Sequence, residues 1–70
     1  MRDMKEREFV KRACENLKEE IMISKIVLLE SSKINGEIDY VMYEDRFGRQ
    51  WQIYLRNGKY MKEEYIPSKI

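Results

Sequence analysis

The chain has 70 residues, 39% of them charged in near balance for a net charge of +1, with one cysteine and no histidine. That length allows a single domain, residues 1–70, with a modest core. An internal disulfide is excluded, zinc sets built from His and Cys are unavailable, and no metal or cofactor signature is present, so added stability must come from packing or self-association.

In chain order, Asp3 followed by Glu6 resembles a capping box, in which each side chain serves a first-turn amide. Phe9, Val10, Ala13, Cys14, Leu17 and Ile21 then recur at helical spacing and form one apolar stripe. Glu8 and Arg12 are spaced for an i,i+4 pair. These signals predict an amphipathic helix over about 4–19. No Gly or Pro follows it, and the sequence leaves open whether residues 21–24 are helix or strand. The β-branched residues Ile23, Ile26 and Val27 predict a first strand over about 23–34, bent or bulged near Ser31-Ser32.

Two Asn-Gly pairs follow, Asn35-Gly36 and Asn57-Gly58, each flanked by Ile, Val, Tyr or Trp. Both central residues of a type I′ hairpin turn need φ > 0, which Asn and Gly tolerate best. A third turn is predicted at Asp45-Arg46-Phe47-Gly48. The remaining strands then fall at about 37–44, 49–56 and 59–66. A four-residue central loop pairs Met42 with Trp51, Tyr40 with Ile53 and Ile38 with Leu55. It thereby gathers those residues, with Val27 and Leu29, on one face. The fourth strand fits less well, because Lys62 and Glu64 share that face with Tyr60. It reads as a short or bulged edge with protective charges. The predicted fold is α+β: an N-terminal amphipathic helix packed on a four-stranded antiparallel β-meander.

The opposite sheet face would then carry Asp39, Val41, Tyr43, Gln50, Gln52, Tyr54, Arg56, Lys59, Met61, Glu63 and Tyr65. Phe47, Arg46 and Arg49 would lie on its rim. The candidate binding residues are Tyr43, Arg46, Arg49, Gln52, Tyr54, Arg56, Lys59 and Tyr65. Tyrosine and arginine dominate protein hot spots. The same set could stack bases and meet phosphates, although Glu37, Asp39, Glu44 and Glu63 oppose a phosphate-tracking surface. Cross-strand packing alone would also use tyrosines. Charge is unevenly spread, at −3 over residues 21–45 and +4 over residues 46–70, so the C-terminal third could attract an anion.

Catalysis is not expected. Cys14 lies in the helix stripe as a small apolar residue, and no histidine is present to activate it. The carboxylate pairs Glu19-Glu20, Glu44-Asp45 and Glu63-Glu64 are ordinary in so charged a chain. Gly48 is a turn glycine with no helix after it to bind phosphate. So small a chain rarely encloses a ligand-sized pocket.

The N-terminus lacks an apolar h-region, and residues 21–29, interrupted by Ser24 and Lys25, are too short to span a bilayer. With a lone thiol, these features lead to the expectation of a cytoplasmic protein. The functional expectation is a small binding protein, a regulator or inhibitor that occupies a surface of a larger protein. Its size suits the kind that phages and mobile elements encode. The alternatives are a nucleic-acid-binding module using the same face and a homodimeric scaffold.

Overall fold

A computed structural model describes residues 4–67. Helix α1 (Met4–Asn16) is followed by a 3-10 turn (Ile23–Lys25) and four strands: β1 (Val27–Ile34), β2 (Glu37–Glu44), β3 (Gln50–Arg56) and β4 (Lys59–Tyr65). The strands form one antiparallel sheet in the order β1-β2-β3-β4, and the helix crosses one of its faces. The fold is the α+β meander expected from the sequence. The capping residue Asp3 lies outside the described residues.

The helix buries the expected stripe of Phe9, Val10, Ala13 and Cys14. It ends at Asn16, three residues earlier than predicted. Lys18 adopts φ 61, so its N–H turns back to the Glu15 carbonyl at 3.2 Å while Glu19 N–H reaches the Cys14 carbonyl at 2.8 Å. This is a Schellman termination with lysine at the left-handed position that glycine usually fills. The Glu8–Arg12 pair forms at 3.1 Å.

The linker after the helix folds inward instead of extending from residue 23. A 3-10 turn repeats every three residues, and Ile23 and Ile26, three apart, both reach the core. Arg7 fixes this turn by donating from Nη1 to the Ile23 carbonyl at 2.8 Å. Strand β1 therefore starts only at Val27.

Both Asn-Gly hairpins have the expected geometry, with φ of 53° and 80° at Asn35 and Gly36 and 51° and 78° at Asn57 and Gly58. The register of β2 differs from expectation by one residue. Glu44 pairs with Gln50, so the central loop holds five residues, 45–49, and Val41 faces Ile53 while Tyr43 faces Trp51. A one-residue slip exchanges the faces. Val41 and Tyr43 therefore enter the core, whereas Tyr40 and Met42 lie on the far side. Two bulges restore the pattern at the strand ends. Asp39 is skipped between the Tyr40 and Ile38 pairings, which lets Ile38 pack against the core. Leu29 is skipped in β1, so Leu28 turns inward while Val27 and Leu29, expected on the core face, stay 56% and 43% exposed. The bend expected at Ser31-Ser32 is thus a pair of bulges flanking it.

Strand β4 is regular, with no register shift against β3. Tyr60 meets Phe9 edge-on with ring centroids 5.4 Å apart. Lys62 is accommodated on the core side because its ammonium lies 4.6 Å from the Trp51 ring centroid and pairs with Glu19. An ammonium is attracted to an indole face and to a carboxylate, while its aliphatic stem packs on the sheet.

Candidate functional site

The helix covers one face of the sheet, and none of the described residues forms a second layer over the other. Alternation along paired strands arranges that open face in rows. Ser32, Tyr40, Tyr54 and Met61 form one row; Glu30, Met42, Gln52 and Glu63 form the next; Glu44, Gln50 and Tyr65 form a third. Met42 is 8% exposed at the centre, shielded by its neighbours.

Hydrogen bonds hold the polar groups of this face in position. Gln52 donates from Nε2 to the Tyr40 hydroxyl at 3.2 Å, and that hydroxyl lies 3.5 Å from Glu30 Oε1, at the long limit for a bond. Tyr54 donates to Glu63 Oε2 at 3.0 Å. This bond to a carboxylate is the first cause of a phenol held above its ordinary pKa. Ser32 donates to Asp39 Oδ1 at 2.7 Å, across the bulge. Both tyrosine rings are thus tethered beside carboxylates.

The sequence-derived candidates separate into three groups. Gln52, Tyr54 and Tyr65 share the open face. Arg56 and Lys59, cross-strand neighbours in the same alternation, continue that face at the β3–β4 hairpin end. Arg46 and Arg49 sit in the 45–49 loop at the opposite end, a strand length or about 20 Å away. Arg46 turns toward the helix side, donating from Nη1 to the Met22 sulfur at 3.4 Å and lying 4.8 Å from the Phe47 ring centroid. Tyr43 must be corrected: it is 1% exposed and packs in the core beside Cys14, because the five-residue loop turned its side of β2 inward. Burial, followed by the neighbouring Cys14, Glu19 and Asp45, pushes its phenol far above the ordinary range. Burial also raises the Cys14 thiol, overriding the lowering influence of Lys62.

Tyr40 and Met42 are the open-face residues that sequence reading assigned to the core. The signal that could have placed them is Asp45. Its Oδ1 accepts the Phe47 and Arg49 amides, both at 2.9 Å, and its Oδ2 accepts the Trp51 indole N–H at 2.9 Å. Its own amide donates to the Arg49 carbonyl at 2.8 Å. An Asp that captures amides two and four residues onward dictates a five-residue loop, and with it the phase of β2. Burial would raise this carboxyl, but the Trp51, Arg49 and Phe47 donors together hold it below its usual range.

On the helix side, a cleft of about 630 Å3 opens between the linker and this loop, lined in part by Met22, Ile26, Phe47 and Trp51. The sequence had suggested no ligand-sized pocket. The cleft exists because the helix stops at Asn16 and leaves one end of the sheet to the thinner linker. Among the described residues no group of His, Cys, Asp and Glu could hold a metal ion, and no helix is long and apolar enough to cross a membrane. Compared with known proteins, the chain matches no family model, no curated protein and no solved structure.

Proposed function

We propose that this chain is a small non-enzymatic binding protein that regulates or inhibits a larger protein by occupying its surface, with the open sheet face as the contact. The carrying observation is a sheet face over which none of the described residues forms a second layer, with Met42 at its centre, Tyr40 and Tyr54 beside it and Met61 and Tyr65 on β4. An apolar centre with tyrosines and a polar rim is the composition of a protein contact surface. Fixed rings lose little freedom on binding, which favours affinity. The proposal extends to a cytoplasmic setting, which a lone thiol suits, and, on the strength of size alone, to a phage or mobile-element regulator.

Two other readings have less support. A nucleic-acid platform needs cations that track a backbone. Here Glu30 and Glu63 flank Met42 and Gln52 from the two edge strands, and the cation pairs Arg46 with Arg49 and Arg56 with Lys59 stand at opposite ends. A homodimer through the sheet edges would meet Lys33 and the Leu29 bulge on β1, and Lys59, Glu63 and Glu64 on β4. These are features that discourage edge pairing.

The test is a titration of labelled single- and double-stranded oligonucleotides across a salt series, run beside capture of partners from source-cell lysate by wild type and Tyr54→Ala. A protein captured by wild type and lost by Tyr54→Ala supports the proposal. Oligonucleotide binding that collapses as salt rises overturns it.

A further inference from the structure

The cleft on the helix side has the makings of a second contact site. Ile26 and Tyr43 are buried and line it from the core, Trp51 lines it from β3, and Met22 from the linker and Phe47 from the loop line its two sides. Met22 is 53% and Phe47 74% exposed, so among the described residues nothing covers these apolar side chains. The charges around the cleft divide unevenly. Asp45 is engaged by the loop donors and Glu19 by Lys62. Arg46, at the mouth, directs a guanidinium N–H to the Met22 thioether. Thioether sulfur is a weak acceptor, whereas a guanidinium matches a carboxylate with two parallel bonds. Among the described residues, neither Arg46 nor Lys25 is paired with a carboxylate. Glu15 and Glu20 also line the cleft, together with Lys11, so the place for an anion is beside Arg46, whose guanidinium already reaches into the cleft at Met22.

We infer that the cleft receives a segment of a protein partner in which a bulky apolar side chain is flanked by carboxylates. The apolar side chain covers Trp51, Met22 and Ile26, and a carboxylate replaces the Met22 sulfur on Arg46. Asp45 holds the loop in place beforehand, which limits the ordering cost. This site goes beyond the open-face proposal, because it lies on the other side of the sheet and uses different residues.

Trp51 is the only tryptophan and lines the cleft, so its fluorescence reports occupancy directly. The probes are acetyl-Asp-Leu-Phe-Asp-amide, its uncharged counterpart acetyl-Asn-Leu-Phe-Asn-amide and the apolar-deleted acetyl-Asp-Gly-Gly-Asp-amide, titrated into the full chain. The acidic Leu-Phe peptide should bind saturably in the low-millimolar range expected of a short ligand. The uncharged peptide should bind about tenfold more weakly, and the Gly-Gly peptide should give no saturable change. Arg46→Gln, an exposed substitution, should abolish the difference between the first two, while Tyr54→Ala leaves all three unchanged. Equal binding of the charged and uncharged peptides, indifference to Arg46→Gln, or no saturable change up to about 10 mM overturns the inference. A failure here leaves the open-face proposal standing, and loss of partner capture by Tyr54→Ala does not bear on the cleft.

Discussion

Asp45→Ala removes the acceptor around which the β2–β3 loop is built. Three bonds are lost at once: two loop amides and the Trp51 indole, each at 2.9 Å. A bond to a charged acceptor contributes up to about 3 kcal/mol when shielded, but this loop is largely in water. Taking about 0.7 kcal/mol for each gives a loss of about 2 kcal/mol. In a domain of this size that lowers Tm by roughly 10 °C. Urea denaturation followed by Trp51 fluorescence measures it directly. The carboxyl is held below its ordinary range in the folded chain. Its charge-dependent contribution is therefore complete above the unfolded-state value of about 3.9 and is lost as pH falls through the lower folded value. Asp45→Ala should accordingly flatten the acid limb of the stability profile. A loss below about 0.5 kcal/mol, typical of an ordinary surface change, would refute the claim that this side chain organises the loop.

Further outcomes follow from other parts of the chain. Lys18→Gly should stabilise the fold by about 0.5–1 kcal/mol, because glycine carries no penalty at the φ of 61° seen there; thermal melts should show a raised Tm. Ile53→Ala empties a fully buried position and should cost about 3 kcal/mol, a large share of the stability of so small a domain, visible as a lower urea midpoint. Tyr43 has a raised phenol pKa, so the folded state resists ionisation and loses stability as pH rises above the unfolded value of about 10. Tyr43→Phe should lessen that alkaline loss in pH-dependent denaturation. Tyr40→Ala and Tyr54→Ala should leave Tm within a few degrees yet weaken partner binding, read by calorimetric titration once the partner is in hand.

The parts legible in the sequence are those governed by local chemistry. Asn35-Gly36 and Asn57-Gly58 announce two type I′ turns because few other pairs accept φ > 0 twice. The stripe from Phe9 to Cys14 announces a helix face. What could not be read depends on single side chains acting over several residues. Asp45 lengthens its loop by one position and so exchanges the faces of Tyr40, Met42, Val41 and Tyr43. The bulges at Leu29 and Asp39 then rescue Leu28 and Ile38 for the core, which made the wrong alternation look self-consistent. The helix end was missed because lysine, not glycine, occupies the left-handed position. For the candidate site, the alternation of β3 and β4 alone puts Gln52, Tyr54 and Tyr65 on the open face. Tyr43 changes face with the rest of β2 once the loop takes its fifth residue, and Arg46 and Arg49, near Arg56 in sequence, lie a strand length from it in the fold.

Site-specific photo-crosslinking addresses the open face most directly. A benzophenone side chain is placed in turn at Tyr54, at Tyr40 and, on the exposed outer face of the helix, at Arg12, and each protein is irradiated in source-cell lysate. The open-face proposal expects one discrete protein adduct shared by positions 40 and 54 and absent at position 12. An adduct formed only from Arg12, or equal labelling from all three positions, would contradict it.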